Sequence, residues 1–268
     1  MQVLRWQEHE QQRREDVLTV EEPLEIRLDG RSLAVIMRTP GNDRELAAGF
    51  LYTEGIITST GDILSLGEAA DADGLPLANV INVELHSAED DARAVRKSAA
   101  FERHFAVSAS CGLCGKNSIA DLMCSVAPLS EDGLRIAAST FYQLSGQLRE
   151  QQAVFTYTGG LHAAGLFSAG GELCLLREDV GRHNAVDKLI GHGLLYGALP
   201  YGRNILLVSG RTSFEIIQKA LLARIPCVAA ISAPSSLAVE LANEGGITLI
   251  GFLRDRSMNV YTHPERIV

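Results

Sequence analysis

Two cysteines in the stretch FAVSASCGLCGKNSIADLM, residues 105–123, have the type and spacing for sulfur chemistry. Cys111 and Cys114 are separated by two residues, and a glycine follows each of them. The flanking pattern predicts a strand before the pair and a helix after it, so both thiols lie on the turn. The positive end of a helix dipole and free backbone N–H groups lower the pKa of such a thiol. Lys116 adds a nearby cation, and we therefore expect a reactive thiolate.

Three chemistries fit this spacing, and packing of two small residues at a tight turn is the alternative to all of them. In a redox site the second cysteine resolves a mixed disulfide. A zinc site needs two more ligands, usually another CxxC or a histidine pair. A sulfur carrier holds a sulfane sulfur on the first thiolate as a persulfide. Zinc is disfavoured because the chain has no second CxxC and no HxxxH, and because Cys124, Cys174 and Cys227 fit structural positions in apolar patterns. No metal site is predicted.

The stretch REDVGRHNAVDKLIG, residues 177–191, concentrates charges of both signs, a histidine and an asparagine. His183 and Asp187 are four residues apart and share one helical face. A solvated helix face with salt bridges is one interpretation, and the wall of a polar pocket or a partner surface is the other. In TGGLHAAG, two glycines before His162 allow close approach of a ligand to the backbone. A lone histidine is nevertheless more often structural.

The stretches SGRTS and GFLRDRSMN each follow a predicted strand and offer arginines beside small hydroxyl residues. Arg211, Arg254 and Arg256, together with backbone N–H groups at a helix start, have the chemistry to bind phosphate. The chain contains neither GxxxxGK[ST] nor GxGxxG. The usual ATP-binding loop is therefore absent from the sequence, and the candidate ligand is a mononucleotide phosphate or a pyrophosphate.

The elements that position these residues follow from hydrophobic periodicity. LEIRLDGRSLAVIMRTP predicts a hairpin, RELAAGFLYTEG a helix opened by Asn42 and Glu45, and NVINVELHS a strand. Loops are predicted at 68–74 and 88–96. After residue 136, STFYQLSGQLREQQ predicts a helix, GGELCLLRE a hairpin arm, and VGRHNAVDKLIGHGLL a second helix. Three apolar strands then alternate with two amphipathic helices, the first opened by a capping pair, Thr212 and Glu215.

This alternation predicts a parallel sheet covered on both faces, with ligands at the carboxyl ends of its strands. We expect an α/β fold with a polar N-terminal arm at 1–20, a smaller, mainly antiparallel α+β domain at 21–135 that carries the CxxC loop, and a C-terminal α/β domain at 136–268 that binds the ligand.

Composition excludes several classes of function. The 268 residues are 46% hydrophobic and 21% charged, which is ordinary for a globular chain. The net charge of −9 argues against extended contact with nucleic acid. The first residues lack the apolar core of a secretory signal, and no apolar run is long enough to span a bilayer. Five dispersed cysteines favour a reducing compartment, so we expect a soluble cytoplasmic protein without a membrane contact.

Six segments in order resemble one family: CGLCG, LHAAGLF, REDVGRHNAVDKLIG, LLVSGRTSFEIIQKA, IPCVAAISAPSSLAVELA and TLIGFLRD. The chain is similar to the FdhD/NarQ family from about Pro23 to its C-terminus. The resemblance implies a sulfurtransferase required for formate dehydrogenase activity. It implies that a cysteine desulfurase supplies sulfur, which is held as a persulfide and passed to the molybdenum cofactor in its bis-molybdopterin guanine dinucleotide form. That cofactor is a bound substrate, and no resident metal is implied.

The resemblance also assigns residues. The persulfide cysteine is Cys111, and Cys114 belongs to the same motif; our hypothesis is that Cys114 attacks the persulfide and leaves a disulfide as sulfur departs. The cofactor contacts map to the segment after the last predicted strand, and Arg211 and His183 complete our candidate set: Phe252, Leu253, Arg254, Asp255, Arg256, Ser257, Arg211 and His183. Members are homodimers.

The resemblance further implies that the C-terminal part is a cytidine-deaminase-like three-layer α/β domain. Zinc deaminases carry H-x-E and P-C-x-x-C. The nearest strings here are His162-Ala163-Ala164 and Pro234-Ser235-Ser236-Leu237-Ala238, which lack the catalytic glutamate and both cysteines. The zinc and the deaminase chemistry are then lost. Two rival functions stay open: a noncatalytic chaperone that binds the cofactor, and a CxxC dithiol oxidoreductase.

Overall fold

The computed structural model describes residues 1–86, 127–130 and 133–268. The strands in these ranges are β1 (Gln2–Gln7), β2 (Glu10–Glu15), β3 (Glu22–Leu28), β4 (Arg31–Arg38), β5 (Ile63–Ala70), β6 (Pro76–Leu85), β7 (His162–Ser168), β8 (Leu173–Asp179), β9 (Asn204–Val208), β10 (Cys227–Ala230), β11 (Thr248–Arg254) and β12 (Ser257–Thr262). The α-helices are α1 (Asp43–Thr53), α2 (Ala138–Gln151), α3 (Ala153–Thr158), α4 (Arg182–Leu195), α5 (Phe214–Leu222) and α6 (Ser236–Gly245), and short 3-10 turns lie at Thr60–Asp62 and Pro264–Arg266. The predicted strand, turn and helix around Cys111 and Cys114, and the loop predicted at 88–96, lie outside the described residues.

The first residues form a hairpin rather than the loosely held arm that their polarity predicts. Strands β1 and β2 pair antiparallel from Gln2 opposite Glu15 to Gln7 opposite Glu10. Nearly all of their side chains are exposed, including Trp6. Their polar alternation carries no buried face, which is why periodicity did not reveal them.

The N-terminal sheet has the strand order β4-β3-β6-β5. The predicted hairpin is confirmed as β3 and β4, and β6 runs parallel to β3. Strand β3 alternates as expected, since Leu24, Ile26 and Leu28 are fully buried beneath α1. The predicted loop at 68–74 is wrong for its first residues, because β5 continues to Ala70. Helix α1 starts as predicted, but Asn42 adopts a left-handed conformation (φ 58) and makes no side-chain cap.

The C-terminal sheet has the order β12-β11-β10-β9-β7-β8. Its three central strands, β9, β10 and β11, are parallel as predicted. The flanks are antiparallel: β7 runs antiparallel to both β8 and β9, which confirms GGELCLLRE as a hairpin arm, and β12, which the sequence did not predict, runs antiparallel to β11. The short turns after β7 and β11 allow hairpins only, since parallel neighbours need a long crossover.

Both faces of this sheet are covered, which gives a mixed α/β fold in three layers. On β9, Leu206 and Val208 join the core beneath α4, α5 and α6. Ile205 and Leu207 alternate with them and join the core beneath α2. A strand buried on both faces is an uninterrupted apolar run, which is what NILLV shows.

Helix α1 connects the two sheets, because it lies between the N-terminal sheet and α4. The helices cross at Gly49 and Gly191, where a Cβ on either glycine would collide with a carbonyl of the other helix, that of Asp187 or of Glu45. Leu194 of α4 is buried in the N-terminal core. Backbone contact at this crossing fixes α4, the helix that follows the REDVG segment. None of the α-helices in the described ranges is long and apolar enough to cross a membrane.

Candidate functional site

The carboxyl ends of the parallel strands gather the polar segments that the sequence singled out. The loop 209–213 follows β9, and the loop 231–235 follows β10. His162 opens β7 at the same edge, since the Ser209 N–H donates to the Ala163 carbonyl at 3.0 Å. Helices α4, α5 and α6 all begin here, so three helix N-termini point toward this edge. We call the set of these loops and helix starts the carboxyl edge.

The REDVGRHN segment is a buried junction and not the solvated helix face that was one of its two interpretations. Asp179 is fully buried and accepts hydrogen bonds from the Gly181 N–H and the Asn184 amide, each at 2.8 Å. Its other oxygen lies 2.7 Å from the Lys188 ammonium, which is 1% exposed. These residues fix the turn between β8 and α4. Arg182 and His183, in the first turn of α4, are the residues of this segment that stand at the carboxyl edge.

His183 is half-buried and connects the starts of two helices. Its Nε2 lies 3.1 Å from the Ser213 hydroxyl and 3.7 Å from a carboxylate oxygen of Glu215. Interaction with His183 lowers the pKa of Glu215 to about 2; burial opposes this, and hydrogen bonds from Ser213 and from the Glu215 backbone add to it. The edge therefore holds an anionic glutamate against the imidazole.

The predicted capping pair at the start of α5 is wrong. The residue at the N-cap is Ser213, whose side chain makes no capping hydrogen bond. Thr212 is held in an extended conformation instead: its N–H donates to the Ala233 carbonyl, and its carbonyl accepts from the Ser235 N–H. This backbone pairing joins the loops after β9 and β10 and prevents Thr212 from turning its side chain toward the helix.

His162 is a second half-buried imidazole at this edge. Its Nδ1 lies 3.5 Å from the Ser209 hydroxyl. Burial lowers its pKa first, the nearby charges of Arg182 and His183 lower it further, and Asp179 opposes them. The ring is therefore neutral at neutral pH. Gly210 lies directly against it, since a Cβ there would be 3.2 Å from Nδ1.

Two buried hydrogen-bonding groups at the carboxyl edge have no partner among the residues that the structure describes. The Nε of Arg182 and the hydroxyl of Thr212 are buried, and neither makes a hydrogen bond within the described part of the chain. Thr212 is 0% exposed. Buried polar groups are nearly always paired, and both of these can donate. Donors at helix N-termini suit an anionic group such as phosphate.

The segment predicted to contact the cofactor extends from the same edge. The Phe252 N–H donates to the Ser232 carbonyl at 3.2 Å, and Phe252 has a positive φ of 53 and is 40% exposed. Beyond it, Arg254, Asp255, Arg256 and Ser257 form the exposed tip of the β11–β12 hairpin. Leu253 differs from the others because it is 1% exposed and packs in the core. Its side chain does not reach a ligand at the surface.

The candidate residues thus separate into two sets. The carboxyl edge includes His183, Arg211 (which is exposed in the loop after β9) and the exposed residues of the hairpin tip. Cys111 and Cys114 lie outside the described residues. Of the cysteines predicted to be structural, Cys227 is buried as expected, but Cys174 is exposed on the edge strand β8 and that prediction is wrong. Within the described ranges no group of three or more His, Cys, Asp or Glu residues could hold a metal ion.

Arg182 gained a role only from the structure. Ser209, Thr212 and Ser213, which the sequence distinguishes as hydroxyl residues beside Arg211 or as a cap, gained defined contacts from it. The signal that could have found them is their position, since three lie in the loop after β9 and Arg182 lies in the first turn of α4, at the edge where ligands generally bind in open α/β sheets. Glu215 was assigned to a cap because its spacing from Thr212 fits that motif.

Comparison with known proteins gives one consistent relationship. The sequence model of the FdhD/NarQ family matches residues 19–268. The chain is 50% identical over 259 residues to the "Sulfur carrier protein FdhD" of Streptomyces avermitilis, which covers 95% of this chain and 90% of the relative. It is 47% identical over 262 residues to the protein of the same description from Mycobacterium tuberculosis, covering 95% of this chain and 92% of the relative.

A solved structure agrees with this relationship. A crystal structure from Desulfotalea psychrophila, described as a formate dehydrogenase accessory protein, superposes with a TM-score of 0.76 at 25% sequence identity. The superposition covers 100% of this chain and 98% of the other.

Proposed function

The chain belongs to the FdhD/NarQ family, and from that membership we propose that it is a sulfur carrier and sulfurtransferase that serves a formate dehydrogenase. Sulfur arrives from a cysteine desulfurase and leaves to the molybdenum cofactor in its bis-molybdopterin guanine dinucleotide form, which is the substrate. The relatives described as sulfur carrier proteins support the uptake of sulfur. The buried donors at the carboxyl edge that have no partner among the described residues support binding of the cofactor.

Cys111 accepts the sulfur in this proposal. Its thiolate attacks the outer sulfur of the desulfurase persulfide, a new S–S bond forms on Cys111, and the desulfurase cysteine leaves as a thiolate. Glycines after Cys111 and Cys114 give the backbone freedom to present the thiol to two partners in turn. This step involves no net oxidation or reduction, because one S–S bond replaces another.

Cys114 releases the sulfur. Its thiolate attacks the inner sulfur of the Cys111 persulfide, so that a disulfide forms and the outer sulfur leaves as hydrosulfide with both electrons of the broken bond. The dithiol is thereby oxidised and the sulfane sulfur is reduced. A thiol reductant must then restore both cysteines before the next cycle.

The carboxyl edge binds the cofactor in this proposal. Arg182 and the helix N-termini supply donors for a diphosphate, and His183 stands between the starts of α4 and α5. Arg211, together with Phe252, Arg254, Asp255, Arg256, Ser257 and the backbone of Leu253, extends this surface along the edge. The net charge of −9 does not oppose it, since one local pocket of donors is sufficient.

The finer structural expectations belong to the same proposal. The C-terminal sheet is a cytidine-deaminase-like domain, the division falls between 135 and 136, the chain acts as a homodimer, and the reaction takes place in the cytoplasm.

The test is intact-protein mass spectrometry after incubation with a cysteine desulfurase and cysteine. We expect the wild type to gain one sulfur mass, Cys111→Ala to gain none, and Cys114→Ala to retain the sulfur for longer when a sulfur acceptor is added. Cys174→Ala is the matched control, because Cys174 is the exposed cysteine of the described residues. It should load like the wild type.

Other outcomes identify the rival functions. Loss of two hydrogens on oxidation, with no added sulfur in any variant, would indicate a dithiol oxidoreductase. Full activation of formate dehydrogenase by the Cys111→Ala protein would indicate a noncatalytic cofactor chaperone.

A further inference from the structure

Helices α4 and α5 face each other through two pairs of charged residues that have the same spacing. His183 and Asp187 lie four residues apart on α4, and Glu215 and Lys219 lie four residues apart on α5. Both helices begin at the carboxyl edge and run away from it. Residues four apart lie on one helix face, separated by about 6 Å along the axis. His183 and Glu215, one from each helix, therefore form an upper pair at the carboxyl edge. Asp187 and Lys219 form a lower pair one turn farther from that edge.

The lower pair is joined by a third residue from the N-terminal half. The Lys219 ammonium lies 2.8 Å and 2.9 Å from the two oxygens of Asp187. It also donates to the Thr53 hydroxyl at 2.8 Å, and that hydroxyl lies 2.8 Å from an oxygen of Asp187. Exposure is 4% for Thr53, 3% for Asp187 and 5% for Lys219. We call these three residues the lower cluster.

The lower cluster joins three helices at a single buried point. Thr53 is the last residue of α1, Asp187 lies in α4, and Lys219 lies in α5. A closed triangle of hydrogen bonds has one geometry, so it fixes the distance between α4 and α5 and their rotation about their axes. The His183–Ser213 contact of 3.1 Å, one turn above, depends on that distance.

Stability alone is a poor explanation for such a cluster. Apolar residues of similar volume often replace a buried ion pair at no cost in stability, because desolvation of the two charges offsets their attraction. A defined arrangement of hydrogen-bonding atoms is what the charged version provides and an apolar core does not.

We propose that Thr53, Asp187 and Lys219 are positioning residues that set the orientation of His183 for the anionic substrate at the carboxyl edge, an inference that rests on the proposed function. Thr53, in the N-terminal half, acts on the carboxyl edge through its hydrogen bonds with Asp187 and Lys219 and does not contact the substrate. Removing the Thr53 hydroxyl changes the orientation of His183 at the carboxyl edge, and the chain still folds.

The test compares Thr53→Val with Thr53→Ser in the full chain, with GDP as the probe for the guanine diphosphate ends of the cofactor. Valine keeps the shape and removes the hydroxyl, whereas serine keeps the hydroxyl. We expect Thr53→Val to weaken GDP binding about three- to tenfold in calorimetric titration, and Thr53→Ser to bind like the wild type. Thr53→Ala is the second variant if the valine does not fold, and the same loss is expected.

Urea unfolding of each variant separates positioning from stability. A variant that unfolds more easily but binds GDP with wild-type affinity would overturn the proposal. Equal loss of GDP affinity in Thr53→Val and Thr53→Ser would overturn it as well, since the hydroxyl would then be irrelevant.

A second readout does not depend on the proposed function. NMR of the His183 ring reports its surroundings directly, and we expect its carbon and nitrogen shifts to change in Thr53→Val and to return in Thr53→Ser. If the wild type binds no GDP, the proposed cofactor site fails, and the ring shifts alone decide the positioning role. Unchanged ring shifts in Thr53→Val would reject it.

Discussion

Single residues at the carboxyl edge combine buried donors, a neutral imidazole and an anionic glutamate. Arg182 and Thr212 hold buried hydrogens without a partner in the described chain, and His162 is kept neutral beside them by burial and by neighbouring cations. Glu215 compensates part of the positive charge through its interaction with His183. The Glu215 carboxylate therefore limits the net positive charge of the carboxyl edge.

The pH dependence of Glu215 is a direct consequence of that balance. Its pKa falls from 4.5 to about 2 in the folded chain, so the fold is stabilised above about pH 4.5, and this contribution is lost as the pH falls toward 2. We expect Glu215→Gln to lower the free energy of unfolding at pH 7 by roughly 1–3 kcal/mol. The difference from the wild type should shrink as the pH is lowered from 4.5. Urea unfolding at a series of pH values measures it.

Glu240→Gln is the control for this prediction, because Glu240 is exposed on α6. It should change stability by less than about 0.5 kcal/mol at every pH. A Glu215→Gln deficit that stayed constant down to pH 3 would contradict the ionic origin of the effect.

At the scale of elements, the N-terminal sheet and the C-terminal sheet are held together chiefly at the crossing of α1 and α4. At this crossing the two backbones touch through Gly49 and Gly191, and neither position has room for a Cβ. The close approach lets Thr53 reach Asp187 and lets Glu45 accept from Arg177 at 2.6 Å and 2.8 Å. Polar contacts between elements so distant in sequence form only because the glycines bring the helices together.

An alanine at the crossing should therefore be costly. Gly49→Ala places a methyl group against the Asp187 carbonyl, and the helices must separate or shift to admit it. We expect a loss of about 2–4 kcal/mol in the free energy of unfolding, measured with urea.

Gly146→Ala is the matched control, since Gly146 lies within α2 and no atom is within 4 Å of a Cβ placed there. Alanine should stabilise that helix by roughly 0.5–1 kcal/mol, because glycine is the poorer helix former. Similar losses at both positions would mean that the crossing is not as tight as described.

Most elements could be predicted from the sequence, whereas the contacts between them could not. Apolar periodicity identified β3 and α5, which each bury one face, and an uninterrupted apolar run identified β9, which buries both. The β1–β2 hairpin and the end of β5 have no such face and were missed. The buried role of Asp187 and Lys188 was equally invisible, since their partners, Thr53 at the end of α1 and Thr39 before α1, lie 134 and 149 residues away in the chain.

The candidate site was predictable in part for the same reason. Position at a strand end identified Arg211, Arg254 and Arg256 as belonging to one edge, whereas the family resemblance supplied the rest of the 252–257 segment. Only side-chain direction distinguishes Leu253 from its neighbours. The partnerless donors of Arg182 and Thr212 follow from three-dimensional packing, which no spacing in the sequence expresses.

At the scale of the whole molecule, buried charges connect the N-terminal and C-terminal halves. Lys188 donates to the Thr39 carbonyl at 2.9 Å while it is paired with Asp179, and the Thr39 N–H donates to Asp179 at 3.2 Å. Separating the halves would break these hydrogen bonds with Thr39, would break those of Thr53 with Asp187 and Lys219, and would expose the apolar surface around Leu194. These losses together amount to several kcal/mol, which argues that neither half opens alone.

The chain should accordingly unfold as one cooperative unit. Native-state hydrogen exchange can test this with two amides, those of Ile26 in β3 and Leu206 in β9, which lie in different sheets and are fully buried. We expect the same free energy of opening at both. In Lys188→Met, Asp179 loses its buried cation, and both amides should lose about 3–5 kcal/mol together. If only one amide responded, the halves would be separate folding units, and the contacts through Thr39 would be a docking surface between domains rather than part of a common core.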